Sequence, residues 1–307
     1  MIQGILLNQY NNKLEKQFIK LFHRLGIPMR SNPLGKKGYS NYQRISTILL
    51  FIRSKRSLRD FINQFHESKW TSWLDLKIIP SKSTLHSWLK YFNLKIIRKI
   101  NNFLRPKNIN LTAIDGTGFD SFHRSRHYEK RVGFTQTPYA KVDLFVDIST
   151  KNIIDFSLVT KHQHDIIAAK QMIKRNKIKG YEILCDKGYD SEEFHRQIHD
   201  KGGKLYAPVR KMGKWSNKKH PKGWFRKKCL KLPKHMGQRS IIECINAVLK
   251  RRFVNSLRSK KSYMKKREFG WTIIVYNLDR ERINSSNNLI NMQNDLKLFF
   301  IQVWIFY

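Results

Sequence analysis

The sequence predicts an α/β protein in which helices flank a mixed sheet and an all-helical region comes first. Three observations lead there. Residues 1–105 carry apolar side chains at helical spacing. Residues 110–211 alternate short apolar runs with helical stretches. An amphipathic helical pattern returns after residue 239. The chain has 307 residues, 40% hydrophobic and 12% aromatic, enough for one large domain or two smaller ones around a sizeable core.

In residues 1–105, three sets fall at i, i+3, i+4, i+7: Ile45, Ile48, Leu49 and Ile52; Leu58, Phe61, Ile62 and Phe65; Leu85, Trp88, Leu89 and Phe92. The last set follows "PSKST", a proline with Ser/Thr caps that signals a helix start. A bundle of short basic helices resembles a helix-turn-helix DNA reader. The plainer alternative is a helical scaffold without recognition.

Residues 110–211 change character. "NLTAIDGTGF", "YAKVDLFVDIST" and "NIIDFSLVT" read as strands, the last two joined by the polar "STKN" turn. "HDIIAAKQMIKRN" reads as a helix, "GYEILCDKGYD" as a strand running into a glycine turn, and "KLYAPVRK" as a further strand. "SEEFHRQIHDKG" reads as a Ser-capped helix with early glutamates. Residues 212–237 are basic and turn-rich, an insertion or DNA-facing loop with Trp215 and Trp224. In "RSIIECINAVLKRRF", Ile241, Ile245 and Val248 form an apolar stripe widened by Ile242 and Leu249. A second helical stretch is expected over roughly 262–283. The expected division is 1–105 helical and DNA-contacting, 106–283 catalytic, and 284–307 a tail of unknown role.

The formal net charge is +39, from 61 Lys+Arg against 22 Asp+Glu. Self-repulsion on that scale opposes compaction and calls for a polyanionic partner. With interspersed aromatic residues, that partner is expected to be nucleic acid. Cys185, Cys229 and Cys244 have no paired spacing, which argues against a disulfide scaffold or zinc ribbon. The apolar patch in "MIQGILLNQYNNKLEK" has no small-residue cleavage site after it, so no signal peptide is expected. The apolar end "LKLFFIQVWIFY" is about half the length a bilayer requires.

Against this basic background, three carboxylates stand out. Asp115 ends an apolar strand and is the first acid after Asp75. Asp186 ends the strand in "YEILCDKGY". Glu243 is the one acid between Lys201 and Arg267, a stretch with 23 lysines and arginines. Strand ends are where α/β sheets place their sites. A carboxylate there is costly to desolvate unless it is paired or metal-bound. Paired, Glu243 would make an ordinary salt bridge to Arg239 or Lys250, worth roughly 0.3–0.5 kcal/mol. Grouped, three carboxylates repel one another until hard divalent cations relieve them, and oxygen ligands select Mg²⁺ or Mn²⁺. Two such ions can clamp the attacking and leaving oxygens of a phosphodiester.

"AIDGTGF", "CDKGYDSEEF" and "RSIIECINAVLKRRF" together resemble a DDE-class insertion-sequence transposase, of the branch with a Tyr-Arg-Glu-Lys signature. Arg239, Glu243 and Lys250 keep the signature's spacing, while Met236 stands at its tyrosine position. The resemblance spans roughly residues 40–283. It implies a ribonuclease H-like fold, with Asp115, Asp186 and Glu243 as the catalytic, metal-binding triad. It implies two Mg²⁺ or Mn²⁺ ions, with Arg239 and Lys250 on transposon-end DNA. The partners implied are double-stranded DNA, both ends and target, and a second copy in a synaptic homodimer. No membrane is involved, and the implied place is the cytoplasm, at the prokaryotic nucleoid. The rival readings are a stand-alone metal-dependent nuclease and a non-catalytic DNA-binding remnant of a mobile element.

Other residues have plainer readings. His164 with Asp165 starts a helix, so capping accounts for it better than a metal pair with His162. His123 and His127 lie in a basic loop, and Asp190 is expected to serve the next helix start. Asp143 and Asp147 share one strand face, where either could support the carboxylates from behind. Trp215 and Trp224 could stack on bases or simply pack.

Overall fold

The computed structural model describes residues 2–28, 38–120, 139–160, 163–210, 221–254 and 256–305; for 2–13, 120, 139 and 285–305 this is the backbone alone. The expectations for His123, His127, His162 and Trp215 lie outside the described residues.

Helices α1 (Ile2–Leu25), α2 (Asn41–Ser54), α3 (Leu58–His66), α4 (Trp70–Trp73), α5 (Lys82–Tyr91) and α6 (Leu94–Phe103) come first. Their starts are written in the sequence. Ser40 accepts the Gln43 N–H at 3.1 Å, and the Gln43 side chain accepts the Ser40 N–H at 2.8 Å, a full capping box. Ser57, Ser81 (the serine of "PSKST") and Asn93 cap α3, α5 and α6. Ile45, Ile48, Leu49, Phe61, Phe65, Leu85, Trp88, Leu89 and Phe92 are all buried, as their periodicity predicts.

The sheet has strands β1 (Leu111–Asp120), β2 (Tyr139–Asp147), β3 (Ile153–Val159), β4 (Glu182–Cys185) and β5 (Lys204–Tyr206). Its order is β3-β2-β1-β4-β5. β2 runs antiparallel to β1 and β3, while β4 runs parallel to β1 and β5. This is the ribonuclease H-like mixed sheet. Helices α7 (Asp165–Arg175) and α8 (Glu192–Asp200) cover one face, and Ile114, Phe145, Ile183 and Cys185 are buried there with Met172 and Ile198. The other face buries Ala113, Leu144, Val146 and Leu184 against α10 (Ile241–Val248) and α11 (Ser262–Ile305).

α11 belongs to two cores. Phe269, Ile273 and Tyr276 pack on the sheet. Trp271, Ile274, Val275 and Leu278 pack among the N-terminal helices. Gly270 lets α6 and β3 approach closely, since a Cβ there would stand 2.7 Å from Ile97 Cγ2 and 3.0 Å from Phe156 Cζ. Asn277 joins the same elements through hydrogen bonds with Asn101 and with both the N–H and the carbonyl of Ile153.

Local readings are corrected in several places. The helix expected over 262–283 continues without a break to Ile305. "KLYAPVRK" forms a strand only over Lys204–Tyr206. α9 (Trp224–Lys228) lies inside the stretch read as a loop. The buried stripe of α10 runs through Ile242, Ile245 and Leu249, leaving Ile241 and Val248 half-buried. These three keep ordinary i, i+3, i+7 spacing in the sheet-side core, so docking on the sheet selects this stripe, between a 3-10 turn (Lys234–Ser240) and a π turn (Leu249–Phe253). Ser191 and His164 occupy N-cap positions without a side-chain cap bond. Asp190 caps nothing; it accepts from Arg226 at 2.6 and 2.7 Å and from the Arg210 N–H at 2.9 Å. The three cysteines are free thiols. Among the described residues, no helix is long and apolar enough to cross a membrane.

Candidate active site

Register brings Asp115 and Asp186 side by side. Ile114 pairs with Cys185 across the parallel β1–β4 ladder, so the next residue on each chain is one of the two acids. Ala113 and Leu184 face α10. Side chains alternate along a strand, so Asp115 and Asp186 turn to that same face. Glu243 reaches it from the first turn of α10. Asp115 and Asp186 therefore share the side of the sheet on which α10, carrying Glu243, packs.

A guanidinium lies between two of them. Arg239 Nη2 donates to Glu243 Oε1 at 3.1 Å, and Arg239 Nη1 is 3.6 Å from Asp115 Oδ2. Asp115 Oδ1 accepts the Gly116 N–H at 2.9 Å, and Asp186 accepts the Gly188 N–H. Burial pushes the Asp115 carboxyl up; the Gly116 bond and Arg239 pull it down, and Asp186 and Glu243 push it up again. Asp115 thus feels the charges of both Asp186 and Glu243. As arranged, no three His, Cys, Asp or Glu side chains among the described residues are close enough to cage an ion. Lys250 is exposed, its Nζ 5.5 Å from the Phe119 ring at the far end of β1. Met236 packs half-buried against the sheet-side core.

The opposite face of the same strands holds Asp143, which the sequence offered only as a supporting group. Asp143 pairs with Gly116 and therefore points toward α7, away from Asp115. It is 1% exposed, and neither of its oxygens has a hydrogen-bond partner among the described residues. Gly116 is required there, because a Cβ would meet Asp143 Oδ1 at 2.9 Å. Burial raises the Asp143 carboxyl to about 7, with Lys141 pulling it down and Asp115 pushing it up. Lys141 pairs with Asp165 and donates to the Gln163 carbonyl at 2.7 Å. The one available signal was an aspartate inside the otherwise apolar run "VDLFV".

The architecture defines a ribonuclease H-like α/β protein with acids gathered at the central strands. More specifically, the chain belongs to the Transposase DDE domain family, whose model matches residues 106–278, more than half of its length. It is a transposase of the DDE class. Two solved structures are similar at a distance. A piggyBac transposase synaptic complex with hairpin DNA is 10% identical with a TM-score of 0.46, covering 89% of this chain and 73% of that one. A simian T-cell lymphotropic virus intasome in complex with PP2A regulatory subunit B56 gamma is 10% identical with a TM-score of 0.28, covering 64% of this chain and 57% of that one. At that distance neither carries an argument about chemistry. No curated protein matches the sequence.

Proposed function

We propose that this chain is the transposase of an insertion sequence. It binds the element's terminal inverted repeats, cleaves DNA at the ends to free 3′-hydroxyls, and joins them to target DNA. The observation that supports this reading is Asp115 under the influence of both Asp186 and Glu243, in a chain of the DDE transposase family with net charge +39. Residues 1–105 contribute DNA contact, 106–283 the chemistry. The working unit is a homodimer holding two ends, in the cytoplasm at the nucleoid.

The donor chemistry fits Mg²⁺ or Mn²⁺, since all three candidate ligands are carboxylates with hard oxygen donors. Asp115, Asp186 and Glu243 would hold two ions. When bound, these supply Lewis-acid activation of the nucleophile and stabilise the leaving oxyanion. The chain's own residues do the rest. Half-burial of Asp115 limits access of bulk water and strengthens local electrostatics. Arg239 takes a DNA phosphate beside the carboxylates, and Lys250 takes another toward the Phe119 end of β1.

The test is cleavage of end-bearing DNA with Mg²⁺. Wild type should cut and Glu243→Gln should bind without cutting. Equal cutting by both removes the catalytic role of Glu243. Pre-nicked ends offered with target DNA should yield joined products; hydrolysis without joining would mean a nuclease, and binding without either a non-catalytic remnant.

A further inference from the structure

A second basic site lies at the sheet's outer edge, where α6, β3 and the end of α7 meet. It is a cleft of about 500 Å³. Its root is Asp155, 4% exposed. Two guanidiniums converge on that one carboxylate: Arg98 Nε at 3.4 Å and Arg175 Nη2 at 3.0 Å. Asn176 adds a bond at 2.9 Å. Both arginines also donate to the Phe156 carbonyl, at 3.3 and 3.4 Å. Lys95 and Lys99, exposed on the same face of α6 as Arg98, complete the rim.

The bland reading is an ion-pair network that ties three elements together. Its charges do not balance. The cleft is lined by Lys95, Arg98, Lys99 and Arg175 against Asp155 as the single acid. Burial pulls the Arg98 guanidinium down, Asp155 holds it up, and neighbouring Arg175 pushes it down again. Two partly exposed arginines on one buried carboxylate, with two exposed lysines beside them, leave a net positive field, which an incoming anion relieves. Planar guanidinium forks match phosphate oxygens, and flanking lysines suit adjacent phosphates along a backbone.

We propose that this cleft is a phosphodiester-binding site that holds duplex DNA on the outer edge of the sheet. It is separate from the carboxylate face: β3 lies two strands from β1, roughly 10 Å at ordinary strand spacing. DNA held there is a stretch of duplex away from the bond being cut. The site rests on the DNA-binding reading above and adds its location.

The experiment uses the full chain with a short labelled duplex. Lys95→Glu/Lys99→Glu changes two exposed side chains and leaves the Asp155 network intact. Its affinity should fall about tenfold at moderate salt, and the slope of log K against log salt should drop by about 2, near 0.9 per lost phosphate contact. Lys260→Glu/Lys261→Glu, also exposed and outside residues 1–105, makes the same change in net charge and should move both quantities less. In wild type, bound duplex should protect Lys95 and Lys99 from acetylation. If wild type binds DNA, the groove and control variants weaken equally, and neither lysine is protected, the cleft proposal fails while DNA binding stands. If wild type binds no DNA, both readings fail.

Discussion

Arg239 lies 3.6 Å from Asp115, a residue on a different element and more than a hundred positions earlier in the chain. The same guanidinium contacts Glu243. One cation therefore offsets the repulsion between two acids that the proposed chemistry needs together.

Removing that cation makes the site more negative. Arg239→Gln should raise the affinity of the DNA-free protein for Mn²⁺ about fivefold, roughly 1 kcal/mol for a partly exposed pair. The same change should weaken DNA binding and reduce its salt slope by about 0.9. Titration by Mn²⁺ paramagnetic resonance reads the first effect; unchanged or weaker Mn²⁺ binding would contradict the bridging role.

Asp143 gives the protein a pH-dependent stability. Its carboxyl is raised from 3.8 to about 7, chiefly by burial. The native state keeps this proton where the unfolded chain has released it. The neutral form's contribution is complete below about 3.8 and is lost progressively as pH climbs toward about 7. Asp143→Asn mimics the neutral form. It should match wild type in acid and be more stable by about 4 kcal/mol above neutrality, at about 1.4 kcal/mol per pH unit. Chemical denaturation at several pH values measures this, and a pH-independent difference would refute it.

Gly270→Ala sets two effects against each other. Alanine gains about 1 kcal/mol of helix propensity over glycine. Its methyl would stand 2.7 Å from Ile97 and 3.0 Å from Phe156, both buried. Overpacking of that kind costs about 1–3 kcal/mol, so net destabilisation is expected. A melting temperature equal to or above wild type would mean the contact yields freely.

Asn277→Leu keeps the volume and removes the polar link among α11, α6 and β3. The Ile153 N–H then loses its 2.9 Å acceptor in a buried place. The expected loss is at least about 2 kcal/mol, and equilibrium unfolding with no loss would show the network to be dispensable.

The elements were legible because their signals are local. Apolar spacing marked α2, α3, α5 and every strand, and the serine of "PSKST" marked the start of α5. Asp115, Asp186 and Glu243 stood out because an acid is conspicuous in a basic chain; of the three only Asp186 follows a strand's last residue, while Asp115 lies within β1 and Glu243 on α10. Errors came where context overrides pattern. Docking on the sheet selected one edge of the apolar stripe of α10, β1 ran on past Asp115 to Asp120, and Asp190 found Arg226 from a distant segment instead of capping the adjacent helix.

The sequence alone determined the helical and strand periods, the excess charge, and which acids stand out against it, since each depends on neighbours in the chain. Tertiary structure alone decided who meets whom. Strand register set Asp143 behind Gly116, packing brought Arg239 to Asp115, and three separate elements built the cleft around Asp155. The physical reason is that periodicity fixes only the direction in which a side chain points along its own element. Its partner, and hence its charge and burial, depends on how distant elements dock.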